Sequence, residues 1–220
     1  MVTSLKTLLS SDFQENNLID VYFSLIPNSC EIKTVFPKER DEEIQSVKNA
    51  EVKKEKYCVW RLLEYALLKS LGIKLCEAGL FKDKSGKWHS SECEFSITHS
   101  GSLAAVAISR VPVGIDVEPK DKAIFEGFAK RFLTPDELSL YSSVPSSEKN
   151  EFLLTRWCIK EAVFKKSGGE AFAPSSVSTV NVKASVKRVC VENKEYVLAL
   201  SGDGESRVSF YEIPYSDLFI

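Results

Sequence analysis

The stretch Phe95–Glu118, FSITHSGSLAAVAISRVPVGIDVE, decides how this chain folds. Phe95 and Ile97 alternate with Ser96 and Thr98, the two-residue period of a strand with one buried face. His99-Ser100-Gly101-Ser102 interrupts the pattern, and Leu103–Ile108 reads as a second, more deeply buried strand. Pro112 and Gly114 bracket the next start, so Val113–Val117 is expected as a third strand. On it Ile115 and Val117 face one way while Asp116 and Glu118 face the other, two carboxylates about 7 Å apart on one side of a sheet. Like charges so close repel, and they call for water, a basic partner or a hard cation.

The rest of the composition is that of an ordinary globular protein. With 220 residues the chain can bury a sizeable core, and 44% hydrophobic and 27% charged residues fit that class. A formal charge of −2 gives no electrostatic case for nucleic acid as a partner. Met1–Asn17 mixes Lys6, Asp12 and Glu15 among its apolar residues, unlike a secretory leader, and no run of about 18 apolar residues predicts a membrane span. Cys30, Cys58, Cys76, Cys93, Cys158 and Cys190 are scattered without a CxxC pair, which suits free thiols in a reducing cytoplasm.

Outward from the central stretch, Leu18–Leu25 alternates as a strand. Lys38–Lys56 is dense in charge and reads as the solvated face of a helix. Leu62, Leu63, Ala66, Leu67 and Leu71 repeat at helical spacing in a core helix starting near Lys54 and stopped by Gly72. Leu80–Ser91 is a polar loop or hairpin. Lys120–Phe132 is expected to be helical, with Phe125, Phe128, Ala129 and Phe132 on one stripe. Thr134-Pro135-Asp136-Glu137 has the form of a capping box. Phe152–Lys166 is a second strong helix, closed by Gly168-Gly169. Val177–Val182, Tyr196–Leu200 and Val208–Ile213 read as strands, the last two joined by a hairpin turn at Ser201–Gly204. The two halves thus have similar element orders. The fold expected is α+β, a unit of sheet and helix used twice.

On the second helix Trp157, Glu161 and Lys165 fall at successive i+4 positions. Taken alone, Glu161 and Lys165 read as a surface ion pair, and Asp116 with Glu118 as a solvated edge strand. Brought together, three carboxylates make an oxygen-rich site suited to magnesium, which keeps waters and binds substrate phosphates. A lysine one turn away would meet remaining phosphate charge, a set suited to phosphoryl transfer. There is no GxxxxGK[ST] loop and no GxGxxG, which disfavours P-loop and Rossmann enzymes. His99 reads either as a phosphate donor at a strand end or as a hydrogen-bonded turn histidine.

Three blocks carry a family resemblance: Phe95–Gly101 (FSITHSG), Gly114–Glu118 (GIDVE) and Trp157–Lys165 (WCIKEAVFK). In this order they resemble the Sfp-type 4′-phosphopantetheinyl transferases, and Arg131–Glu137 resembles that family's segment between the last two. The resemblance implies a pseudodimer of two similar halves, here 1–110 and 111–220, each a small, mostly antiparallel sheet packed on a long helix. It implies transfer of phosphopantetheine from coenzyme A to a serine of an apo acyl or peptidyl carrier protein. Asp116, Glu118 and Glu161 would hold magnesium, and Glu161 would help remove the serine proton. Lys165 would neutralise the phosphates, with Lys160 near them. Thr98 and His99 would contact the nucleotide, His99 at its 3′-phosphate. Lys87, in Gly86-Lys87-Trp88 where the family has Gly-Lys-Pro, is a further phosphate contact. Lys38, Arg40, Lys53, Lys54 and Arg61 are candidates for the basic residues that the family places near its N-terminus. Other readings are a non-catalytic module binding carrier or coenzyme A, and a metal-dependent phosphodiesterase. A cytoplasmic monomer without nucleic-acid or membrane partners is expected.

Overall fold

The structure, a computed structural model, describes residues 18–169 and 171–219. The reading of Met1–Asn17 lies outside them. The first elements are β1 (Leu18–Leu25), α1 (Lys38–Ser46), α2 (Ala50–Leu71), β2 (Leu80–Lys82), β3 (Trp88–Ser90), β4 (Glu94–Ser100) and β5 (Leu103–Ser109). They are followed by β6 (Gly114–Pro119), α3 (Glu126–Phe132), α4 (Pro135–Ser142), α5 (Lys149–Ser167), β7 (Ala184–Val191), β8 (Lys194–Ser201) and β9 (Arg207–Glu212).

Two sheets are stacked between two long helices. The first has the order β4-β5-β1-β9, antiparallel except for the parallel β1–β9 pair; the second is antiparallel in the order β6-β8-β7. Alternation along each strand explains the layering. On one face of the first sheet Tyr22, Phe95, Val106 and Ile108 pack on Trp60, Leu63 and Leu67 of α2. On its other face Val21, Phe23, Leu103 and Ala105 meet Ile115, Val117, Leu198 and Leu200 of the second sheet. The outer face of that sheet, with Val197 and Ala199, is covered by Leu154, Cys158 and Ala162 of α5. Strands buried on both faces lose the polar alternation of a surface strand, which is why Leu103–Ile108 is a continuous apolar run.

Several elements depart from the sequence reading. The charged stretch Lys38–Lys56 is not one solvated face, because it belongs to two helices and buries Arg40 and Ile44. Helix α2 starts at Ala50 rather than near Lys54, where the Asn49 side chain accepts from the amides of Glu51 and Val52. The helix expected over Lys120–Phe132 is confined to α3, and Phe125 is 82% exposed instead of lining a stripe. Its first residues are spent elsewhere: the Lys120 amide bonds Glu195 O, and Asn150 bridges Ile124 N and Lys122 O. Val177–Val182 is not a strand; its place in the second sheet is taken by β7, two residues further on. Ser201–Gly204 does not close a hairpin, since β9 leaves the second sheet to pair with β1 of the first. Alternation specifies a buried face and is silent about the partner strand. The capping box at Thr134, the hairpin of β2 and β3 and the body of α5 form as expected.

Gly114 sets how closely α5 approaches β6. A Cβ there would overlap the Ala162 carbonyl oxygen and crowd the Lys166 amide, both backbone atoms. Gly114→Ala is therefore expected to push α5 off the sheet and to destabilise the protein by about 1–3 kcal/mol, the usual cost of overpacking. A lower urea midpoint at unchanged slope will show it; an unchanged midpoint would mean that the helix has room to shift.

Candidate active site

The site forms where β4 runs along β6. Ser96, Thr98 and Ser100 share one side of β4 because strand side chains repeat every two residues. Ser96 Oγ accepts from the Ile115 amide at 3.1 Å, the Thr98 hydroxyl donates to Asp116 Oδ1 at 3.0 Å, and Ser100 bonds Glu118. This ladder of hydroxyls joins two sheets that share no backbone hydrogen bonds along this seam. From the other direction α5 presents Glu161 and Lys165. Lys165 Nζ lies 2.7 Å from Asp116 Oδ1 and 3.2 Å from Thr98 Oγ1. Lys122 Nζ lies 2.6 Å from Glu118 Oε1.

Asp116 and Glu118 are buried, 5% and 7% exposed, so the solvated edge strand is excluded. Burial pushes the Asp116 carboxyl above its ordinary range; Lys165 opposes the rise and the neighbouring Glu118 adds to it. Burial likewise pushes up Glu161, reinforced by the charges of Asp116 and Glu118 and opposed by Lys165. The fold therefore brings Asp116, Glu118, Glu161, Lys165 and Thr98 into one electrostatic unit, although they span 67 residues of sequence between Thr98 and Lys165.

A cleft of about 530 Å³ opens beside Lys165, lined by Arg40, Lys87, Trp88, Phe95 and Phe172 among others. Lys87, on the turn of the β2–β3 hairpin, donates to the carbonyl of Lys165 at 2.7 Å. Among the five basic candidates near the N-terminus, Arg40 alone lines this cleft. Its guanidinium lies over the Trp60 ring at 4.7 Å and bonds Glu43 at 3.0 Å, while its buried Nε has no hydrogen-bond partner. Lys38 pairs with Glu42, Lys53 bonds Gln45, Lys54 bonds Asn28 O, and Arg61 bonds Leu218 O. His99 is half-buried with Nδ1 3.6 Å from Glu55, and burial lowers its pKa despite that carboxylate.

The structure does not bring Lys160 to this site. Its side chain is wholly buried on another face of α5, 2.7 Å from the equally buried Glu137, and bonds the carbonyls of Pro174 and Val177. Burial lowers the Lys160 pKa against the pull of Glu137. Burial also acts to raise Glu137, but hydrogen bonds from Lys160 and Thr179 and from backbone amides hold it below its ordinary value. The pair ties α4, α5 and the segment 174–179 together, and it claims the backbone groups that a strand over Val177–Val182 would have needed. Adjacent helical residues point about 100° apart, so Lys160 and Glu161 cannot share one face.

The chain is similar in sequence to known proteins. Residues 112–207 match the model of the 4′-phosphopantetheinyl transferase superfamily. The 4′-phosphopantetheinyl transferase ffp of Bacillus subtilis is 33% identical over 102 residues, 46% of this chain and 45% of the relative. The 4′-phosphopantetheinyl transferase Sfp of Bacillus subtilis is 34% identical over 77 residues, 35% and 34% of the two chains. A holo-[acyl-carrier-protein] synthase of Mycoplasma capricolum is 31% identical over 84 residues, 38% of this chain and 73% of the relative. These matches place the chain in the 4′-phosphopantetheinyl transferase superfamily. Its likeness is to the Sfp-type members. The matched stretches span less than half the length of the Bacillus relatives.

Among the described residues no group of three or more His, Cys, Asp or Glu side chains is set to hold an ion as it stands. Lys165 and Lys122 instead supply the positive charge at Asp116 and Glu118. The residues nonetheless fit a hard divalent cation. All three donors are carboxylates, Asp116 Oδ2 is buried without a partner, and the mutual repulsion at Glu161 would be relieved by a cation.

The buried pair makes a separate prediction. Lys160→Met alone should cost about 3–5 kcal/mol by stranding the Glu137 charge, whereas Lys160→Met with Glu137→Leu should recover most of it. Denaturant unfolding of the single and double variants measures the coupling, and equal losses in both would refute the pairing.

Proposed function

We propose that this protein transfers 4′-phosphopantetheine from coenzyme A to a serine of an apo acyl or peptidyl carrier protein, with magnesium, releasing adenosine 3′,5′-bisphosphate. The observation that carries this is the convergence of Asp116, Glu118, Glu161 and Lys165 at one seam, beside a cleft of about 530 Å³ with basic and aromatic walls. That volume suits a nucleotide-sized ligand. Trp88 and Phe172 contribute aromatic walls, while Lys87 and Arg40 bring positive charge that would suit a phosphate.

In the reaction the serine Oγ forms a bond to the phosphorus bearing pantetheine, and the pyrophosphate bond to the nucleotide breaks. Glu161, its carboxyl raised by burial and by Asp116, takes the serine proton, since a base works best with a pKa closer to the working pH. Lys165 leaves Asp116 to neutralise the phosphate oxygens of the leaving nucleotide. Asp116, Glu118 and Glu161 would hold magnesium, which supplies charge to the pyrophosphate. Thr98 orients Asp116, and His99 contacts the 3′-phosphate; Lys160 acts through packing. The stacking of helix, sheet, sheet and helix supports a pseudodimer with halves 1–110 and 111–220, in which β9 crosses back to the first sheet. No described helix is long and apolar enough to cross a membrane, and we read the protein as a cytoplasmic monomer.

Incubation with coenzyme A, magnesium and a panel of apo carriers should add phosphopantetheine to at least one carrier by intact mass, and chelation should abolish the adduct. Folded protein that hydrolyses coenzyme A without modifying any carrier would replace this reading with a phosphodiesterase. Asp116→Ala and Glu161→Ala should each lose activity by several kcal/mol of transition-state stabilisation while remaining folded by circular dichroism. Near-normal turnover in either at saturating magnesium would remove that residue from the metal set.

His99→Ala should raise KM for coenzyme A by about 10- to 150-fold with kcat largely kept, because a charge-assisted hydrogen bond is worth about 1.5–3 kcal/mol. It should also shrink the preference for coenzyme A over dephospho-coenzyme A. Steady-state kinetics with both donors decides, and an unchanged preference would leave His99 as the partner of Glu55 alone.

A further inference from the structure

Away from the site just described, two thiols lie together behind the wall of the cleft. Cys30 Sγ and Cys58 Sγ are 3.9 Å apart, although 28 residues separate them in sequence. Cys58 sits on α2 and is 1% exposed. Cys30 is half-buried on the segment between β1 and α1, and it lines a second cleft of about 480 Å³ with Lys33, Tyr57, Arg61, Tyr215 and Phe219. The Cys30 segment is already fastened to α2 on either side. Lys54 donates to Asn28 O at 2.8 Å, and Trp60 Nε1 donates to Phe36 O at 2.7 Å. The two sulfurs are thus held facing each other by bonds that do not depend on them.

We propose that Cys30 and Cys58 are a redox modification site that closes to a disulfide when a hydroperoxide supplies the oxidant. The cleft admits a small peroxide to Cys30, whereas Cys58 is sealed in the core. Cys30 Sγ attacks the peroxide oxygen, giving a sulfenic acid and, from hydrogen peroxide, one water. The Cys58 thiol then attacks the Cys30 sulfur, the S–S bond forms, and the hydroxyl leaves with the Cys58 proton as a second water. Two thiols lose two hydrogens and the peroxide is reduced to two waters. Burial raises the Cys58 pKa, which keeps this sulfur a thiol until its neighbour is oxidised and assigns it the resolving role. A dithiol reverses the reaction by exchange. The bond would lock the segment leading into α1, which carries Arg40, onto α2, which carries Glu55 beside His99.

The test uses the whole chain. After hydrogen peroxide and blocking with N-ethylmaleimide, non-reduced peptide maps of the monomer should contain a Cys30–Cys58 cross-link that dithiothreitol removes. Analysing the monomer excludes intermolecular bonds through the exposed Cys76 and Cys190. In Cys58→Ala, and in Cys58→Ser should alanine fold poorly, dimedone should trap a sulfenic acid at Cys30 that does not accumulate in the unsubstituted chain. Recovery of both residues as separate maleimide adducts from the oxidised, folded protein would overturn the proposal. So would over-oxidation of Cys30 in the unsubstituted chain without any cross-link.

Discussion

A carboxylate taken out of water costs several kcal/mol unless charge and hydrogen bonds replace its hydration. Asp116 receives both, from two different parts of the chain: the Lys165 ammonium from α5 and the Thr98 hydroxyl from β4. The hydroxyl contact requires the two sheets to meet along the β4–β6 seam, and the ammonium contact requires α5 to lie close across the second sheet. The apolar core between Val21, Leu103, Ile115 and Leu198 fixes the first condition, and Gly114 permits the second. The energetic requirement of one buried charge thus coincides with the geometry that assembles the site. Asp116 Oδ2 stays unpartnered within that arrangement, an unmet demand that a cation would satisfy.

The same helix runs two unlike charge systems from adjacent positions. Glu161 points to the seam, where burial, and after it the charges of Asp116 and Glu118, raise its carboxyl. Lys160 points to another part of the interior, where Glu137, two backbone carbonyls, two backbone amides and the Thr179 hydroxyl complete a closed network. One system is left with charge to spare and the other is fully paired. Charge left unbalanced is what suits the seam to ligands and reaction, and closure is what suits the Lys160 pair to holding α4 and α5 in place. Lys160 therefore bears on the seam only through the position of the helix.

Lys165 and Lys122 stand where the carboxylates would otherwise face one another. Both are on long, partly exposed stems, so their ammonium groups are free to swing away from the carboxylates. Arg40 differs. Its guanidinium is fixed by Glu43 and by the Trp60 ring, so the charge it brings to the cleft wall is held in place. Mobile lysines at the seam and a fixed arginine at the cleft would suit the proposed reaction, in which charge shifts at one end while binding holds at the other.

By itself the sequence determined what local chemistry and periodicity can specify. Phe95–Glu118 spelled three strands, though not that the carboxylate side of the third would be buried as well. Thr134–Glu137 spelled a cap, and the spacing of Glu161 and Lys165 put both on one helical face. It did not show that Val208–Ile213 pairs with Leu18–Leu25, because alternating residues satisfy any buried sheet edge equally. Val177–Val182 alternated as a strand would, yet its backbone was claimed by Lys160 and Glu137, a competition between groups distant in sequence. Arg40 looked like one charge among many until burial over Trp60 distinguished it. Partner choice, desolvation and the separation of Lys160 from Glu161 are properties of elements packed together, so only the tertiary structure decided them.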